Sequence, residues 1–202
     1  MSSVYDLKPK FQNLLRPLVG VLAKGGVTAN QVTVAAGVLS FVVGGLLVVK
    51  AGDGRWLALL PGALFLRMAL NAIDGMLARE YNMKSPLGAL LNELGDVFSD
   101  AAFYAPLALW PGFSPPFVIG IVFLAAASEM VGVVAVQIGA SRRYDGPMGK
   151  SDRAFWIGLL TLLLALGVPA GRWLTVAQGL ILILLAQTIW NRGKRALAEV
   201  HP

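Results

Sequence analysis

Apolar stretches about as long as a bilayer is thick recur along this chain, and they constrain it more than any other feature. A helix of ~20 apolar residues spans the hydrocarbon core of a membrane. Stretches of that kind fall at 31–50, 56–79, 86–110, 115–140, 154–168 and 172–191. Turn-forming runs separate them: AGDGR, KSP, PGFSPP, YDGPMGKSD and GVPAGR. Of the 202 residues, 56% are hydrophobic and 14% charged, against roughly 25% charged in an ordinary globular chain. The expected fold class is therefore all-α. The chain reads as a polytopic membrane protein of six transmembrane helices, one domain over 1–202.

Ahead of the first span, residues 5–24 alternate with a helical period. Phe11, Leu14, Leu15, Leu18 and Leu22 share a face, with Lys10, Asn13, Arg16 and Lys24 largely elsewhere. That pattern predicts an amphipathic helix lying in the membrane interface, started near Pro9 and kinked at Pro17. Asp6, Lys8, Lys10 and Arg16 leave no apolar segment for a cleavable signal peptide. Thr28-Ala29-Asn30 supplies cap residues for the first span. After the six-helix bundle at 31–191, residues 192–202 read as a cytoplasmic tail.

Lys and Arg counts orient the spans. One side of the proposed topology carries 13, the other 3, and Arg67 lies within a span. The basic side faces the cytoplasm, so both termini are expected there. The net charge of +6 then reflects loops facing anionic lipid, not nucleic acid. With no cysteine, thiolate and Cys–zinc chemistry are excluded. The one histidine is His201, next to the C-terminus, which argues against a His-based nucleophile relay.

Polar residues inside the second and third spans need a function or a partner, because a charge at that depth is costly. Arg67, Asn71, Asp74 and Ala78 are spaced 4, 3 and 4, so they line one helix face. Asn92, Asp96 and Asp100 line another. A short connection suggests that these spans are antiparallel neighbours, with the two faces meeting inside the membrane near the cytoplasmic end. Such oxygen-rich clusters suit a hard cation such as Mg²⁺, which in turn holds phosphate. The plainer reading is interhelical hydrogen bonding without chemistry. One turn deeper, Arg67 is expected to pair with Asp100, Glu129 being the rival partner.

The full pattern is Asp74-Gly75-x-x-Ala78-Arg79, eight residues, Gly88, three residues, Asn92, three residues, Asp96. It resembles the signature of the CDP-alcohol phosphotransferases (CDP-alcohol phosphatidyltransferases), in which two further Asp stand where this chain has Asn71 and Asn92. TANQVT at 28–33 stands in place of that family's usual Thr-Pro-Asn. The resemblance is to a bacterial subgroup of uncertain substrate. It implies transfer of a phosphatidyl group from CDP-diacylglycerol to the hydroxyl of a small polar acceptor, releasing CMP. It also implies Mg²⁺ or Mn²⁺ as cofactor, a homodimer, and residence in a bacterial inner membrane.

Residue by residue, the resemblance makes Asp96 the general base and a metal ligand, and Asp74 a ligand alongside Asn71 and Asn92. Asp74, Gly75, Ala78, Arg79 and Gly88 would bind nucleotide, Gly88 also letting the second and third spans approach. With two amides for two acids, the motif's formal charge falls from −4 to −2. One tightly held metal ion is expected, or a second that arrives with the substrate pyrophosphate. Glu93 and Asp100 are candidates to compensate. The loop SRRYDGPMGKSDR brings Arg142, Arg143, Lys150 and Arg153 around a Gly-rich turn, with Ser151 as a helix cap. Its plain reading is a basic cytoplasmic loop; the functional one is capture of an acceptor phosphate, glycerol 3-phosphate first. Two other functions compete: a CDP-lipid-binding protein that lost catalysis with its two acids, and a small transporter whose intramembrane acids relay ions.

Overall fold

The computed structural model describes residues 4–200. Thr28 starts the first long apolar helix as its sequence suggests. Its hydroxyl accepts from Gln31 N–H, and the Gln31 side chain accepts from Thr28 N–H, satisfying two otherwise unpaired donors. Helix α2 then runs over Ala29–Val49, preceded by α1 at Val4–Lys24. Helix α3 covers Leu59–Glu80, α4 Pro86–Tyr104, α5 Pro115–Gln137, α6 Lys150–Ala165 and α7 Arg172–Val200. Short 3₁₀ turns at Gly54–Ala58 and Ala105–Leu109 lead into α3 and out of α4. No strand occurs among the described residues.

Four of the segments are long and apolar enough to cross a membrane: Ala29–Val49, Gly54–Glu80, Pro115–Gln137 and Arg172–Val200. The other two expected spans fall short, each for a physical reason. Helix α6 has 16 residues and reaches about 24 Å at 1.5 Å per residue, less than the ~30 Å hydrocarbon core. Helix α4 carries Glu93, Asp96 and Asp100 and stops at Tyr104, before a turn containing Pro106. Several boundaries also differ from expectation. Helix α5 ends at Gln137, followed by Gly139 in the left-handed region at φ +89°. Helix α6 starts at Lys150, so Ser151 lies inside it. Its cap is Gly149, whose N–H donates to Asp152 at 3.0 Å. Pro9 and Pro17 both sit within α1, and α7 runs unbroken through the expected tail to Val200. His201 lies outside the described residues.

Packing is organised around α2, which lies against both α3 and α4, while α3 and α4 make little backbone contact with each other. They meet through long side chains instead, Arg67 and Asn71 of α3 reaching Asp96 of α4. Gly44 is what allows α2 and α4 to touch. A Cβ there would stand 2.2 Å from the Ala102 carbonyl oxygen, closer than any real contact. Elsewhere α5 pairs with α7, α6 packs on α3, and α1 lies on α3. The main core gathers Leu47, Leu60, Phe103, Leu107, Leu174 and Leu185, with Trp110 Nε1 donating to Leu47 O at 3.2 Å. A smaller core joins Val19 of α1 to Val32, Ile73, Met76 and Leu77. Outward-facing residues such as Val38, Phe41, Val49, Ile119, Phe123 and Ile183 are more than half exposed. An apolar surface of that extent suits lipid better than water.

Candidate functional site

The cleft between α3 and α4, floored by α2, receives the polar faces that the spacing of their residues predicts. From α3, Asn71 Nδ2 donates to Asp96 Oδ1 of α4 at 3.2 Å. Arg67, one turn deeper, donates to Asp96 Oδ1 at 2.8 Å, to Asp96 O at 3.3 Å and to Asp100 Oδ1 at 3.2 Å. The expected Arg67–Asp100 pair is thus present, with Asp96 as a second partner. Glu129 does not reach Arg67; it is enclosed by Arg142 at 2.9 Å, Arg153 at 3.0 Å and Arg192 at 3.3 Å. Asp74 is buried and accepts from the Thr33 hydroxyl of α2 at 2.8 Å. Asn92 lies one turn before Asp96 on α4, half-buried.

The motif glycines have roles that the geometry makes specific. A Cβ on Gly75 would meet the Arg79 guanidinium at 3.0 Å, so Arg79 folds back over that bare patch of α3. A Cβ on Gly88 would stand 2.6 Å from Asn30 Oδ1. Gly88 therefore brings α4 close to α2, not to α3. Nearby, Ser85 caps α4 by accepting from Gly88 N–H at 2.9 Å, and it accepts from Asn30 at 3.3 Å.

The basic loop closes the cleft from the opposite side. Lys150, the first residue of α6, bonds Asp96 Oδ2 through its ammonium group. Arg153 is fully buried and holds Asp100 Oδ2 at 2.8 Å and Glu129 Oε1 at 3.0 Å. Arg142 forks onto Glu93 of α4, at 3.0 Å from Nε and 2.8 Å from Nη2. Arg143 pairs with Asp145 at 2.8 Å and Glu199 at 2.6 Å. Glu93 thus pairs with Arg142 and stands apart from the motif acids. Partial burial opposes the charged form of Asp145, but hydrogen bonds and charge from Arg143 and then Arg195 hold its carboxyl below the usual 3.8.

Thr33 and Arg192 are the residues that sequence reasoning missed. Thr33 is the last residue of the TANQVT run, one turn past Ala29 on α2 and half-buried, and only the helix approach shows its contact with Asp74. Arg192 was assigned to the tail. In fact Leu174, Gln178, Ile181, Leu185, Thr188, Arg192 and Ala196 are all buried at helical spacing on α7. Arg192 bonds the Ser128 carbonyl and donates to Asp145 O at 3.2 Å.

As a metal site, this cluster offers few anionic ligands. Among the described residues no group of three or more His, Cys, Asp or Glu side chains converges as ligands. Asp96 has both oxygens engaged, while Asp74 keeps one oxygen apart from Thr33. Asn71 donates through its nitrogen, leaving the amide oxygen as a donor atom. A set of one free carboxylate oxygen on Asp74 and the Asn71 amide oxygen, on one face of α3, has the donor chemistry for a single hard cation. It does not neutralise two adjacent divalent ions.

Among the described residues, seven helices carry this motif on α3 and α4 opposite a basic loop, the arrangement expected of the membrane transferases that the signature marks. The chain belongs to the CDP-alcohol phosphatidyltransferase family, whose pattern matches residues 26–190. Among its relatives, the inner membrane protein YnbA of Escherichia coli strain K12 is 45% identical over 195 residues, covering 96% of each chain. Phosphatidylinositol phosphate synthase of Mycolicibacterium smegmatis is 28% identical, covering 100% of this chain and 95% of that one. The fold matches the Mycobacterium tuberculosis phosphatidylinositol phosphate synthase crystallised with CDP-DAG bound. That match has a TM-score of 0.73 at 22% identity, over 91% of this chain and 92% of that one. The same enzyme in complex with manganese and citrate matches with a TM-score of 0.73 at 19% identity, over 90% and 88%.

Proposed function

We propose that this protein transfers a phosphatidyl group from CDP-diacylglycerol to the hydroxyl of a small polar acceptor, with release of CMP. The observation that carries this reading is the meeting of Asp74 and Asn71 on α3 with Asp96 on α4 in one cleft, at the positions the family signature requires. The reading includes six membrane crossings, α4 and α6 being the two short ones. It also includes α1 in the interface, both termini in the cytoplasm, residence in a bacterial inner membrane, and a homodimer.

Each residue then has a task. Asp74, with the Asn71 and Asn92 amides, would hold one Mg²⁺ or Mn²⁺. When bound, that ion supplies Lewis-acid neutralisation of the pyrophosphate. Gly75 and Ala78 leave room for nucleotide against the α3 backbone, and Arg79 answers phosphate charge at its exposed end. Asp96 is the general base that takes the acceptor's proton. Lys150 must leave Asp96 Oδ2 for that to happen. It is the partner with room to move, its side chain being 31% exposed against 2% for Arg67. Arg67 and Arg153 hold the α4 face in position from below.

A CMP-release assay tests the reading. Purified protein in micelles of CDP-diacylglycerol with Mg²⁺ should release CMP when an acceptor is added. Asp96→Asn should slow this by about 10²–10⁴-fold, the usual worth of a general base. Unchanged turnover would remove Asp96 from that role. A second reading, a CDP-lipid-binding protein without catalysis, is favoured by the two amides and by the cations already seated on Asp96. Tight CDP-lipid binding with no CMP release under any condition would select it.

A further inference from the structure

At rest every basic side chain of the 141–153 loop is answered by a carboxylate of this chain, and Lys150 is the one that the proposed reaction releases. Arg142 holds Glu93 and Glu129, Arg143 holds Asp145 and Glu199, Lys150 holds Asp96, and Arg153 holds Asp100 and Glu129. The neighbouring cations are paired as well: Arg67 with Asp96 and Asp100, Arg192 with Glu129, Arg195 with Asp145. Arg79 has no acidic partner among the described residues, and it lies over Gly75 on α3.

Glu93 decides the matter locally. It stands three residues before Asp96 on α4, so the two share a helix face. Its carboxylate fills the fork of Arg142 through two charge-assisted bonds, at 3.0 and 2.8 Å. This planar, two-pronged geometry is the one by which arginine recognises phosphate. A phosphorylated acceptor would have to expel Glu93 from the fork. The freed carboxylate would then face a phosphate in a half-buried pocket, where like charges repel strongly.

The geometry points to an uncharged polyol as the acceptor, with Glu93 occupying the place that an acceptor phosphate would need. This rests on the transferase reading above and narrows it. The Glu93 carboxylate, itself a hydrogen-bond acceptor held by Arg142, suits a ligand that offers O–H donors and carries no charge. The relatives named phosphatidylinositol phosphate synthase carry in that name a product that keeps a phosphate on its headgroup, so an uncharged acceptor sets this chain apart from them.

Two measurements on the full-length protein test the inference. In CDP-diacylglycerol micelles with Mg²⁺, glycerol is compared with glycerol 3-phosphate, and inositol with inositol phosphate, by CMP release and product mass. The unphosphorylated member of at least one pair should give a kcat/KM at least tenfold higher. Equal use, or preference for the phosphorylated member in both pairs, overturns the inference and leaves the transferase reading intact. The second measurement needs no turnover: titration calorimetry of inorganic phosphate and of glycerol 3-phosphate into the wild type, Glu93→Gln and the Glu93→Gln/Arg142→Gln double variant. Glu129 still pairs with Arg142 in the single variant, which protects the fold. Glu93→Gln should bind phosphate at least tenfold more tightly than the wild type, and the double variant should lose that gain. Wild-type binding as tight as that of Glu93→Gln overturns the inference whether or not CMP is ever released.

Discussion

Replacing Arg153 with Met should destabilise this protein by about 3 kcal/mol. The change keeps a long apolar stem and removes the guanidinium. That group is wholly buried and donates to Asp100 Oδ2, Glu129 Oε1, Met148 O at 3.2 Å and Ser128 Oγ at 3.3 Å. Removing one member of a buried ion pair costs about 3–5 kcal/mol, chiefly because the other charge is left behind. Here neither acid is stranded completely. Asp100 keeps Arg67 at 3.2 Å, and Glu129 keeps Arg142 at 2.9 Å and Arg192 at 3.3 Å. The lower end of the range therefore applies. At about 2–4 °C per kcal/mol for a chain of this size, the midpoint should fall by about 6–12 °C. The assay is thermal unfolding in detergent, followed by tryptophan fluorescence and by loss of the monodisperse peak. Adding Asp100→Asn to Arg153→Met removes one of the buried charges left under-neutralised, so the double variant should be less damaged than the sum of the single ones by more than ~0.5 kcal/mol. A midpoint within about 2 °C of the parent, at the cited ~2–4 °C per kcal/mol, or strictly additive effects, would refute the argument that this cation holds the buried acids together.

Gly44→Ala should destabilise by about 1–3 kcal/mol, because its Cβ is driven against the Ala102 backbone. Gly45→Ala, which meets nothing within 4 Å, is the control and should lose no stability in the same melt. Acidification gives another test. Asp145 titrates lower when folded, so its stabilisation is complete above the usual 3.8 and fades as pH falls through the lowered value. The difference in melting midpoint between wild type and Asp145→Asn should accordingly be largest near neutrality and shrink below about pH 3.8. A gap that does not shrink at all as pH falls below 3.8 would mean that Asp145 acts by shape and not by charge.

Much of the site was legible because helical spacing is a local property. Residues 67, 71 and 74 must share a face of any helix, as must 92, 96 and 100, and the signature spacing reads directly off the chain. The Arg67–Asp100 pair followed from matching depth alone. The ends of the spans were less legible. Helix α6 begins four residues before its expected span because Asp152 caps it from inside, and Arg192 belongs to a helix that continues past the apolar run. In both cases polar residues are buried by neighbouring helices, and hydropathy counts such residues as loop.

What the sequence determined by itself is a set of apolar helices carrying a fixed register of polar side chains, since both follow from contacts within a few residues. What only the tertiary structure decided is which charge meets which. The packing of α2 against both α3 and α4 sets Gly88 against Asn30 and Asp74 against Thr33. The long α7 carries Arg192 and Glu199 to the loop, and Glu93 takes the fork of Arg142. Those pairings depend on how distant segments dock, and over such separations in sequence no spacing rule connects a carboxylate to its guanidinium.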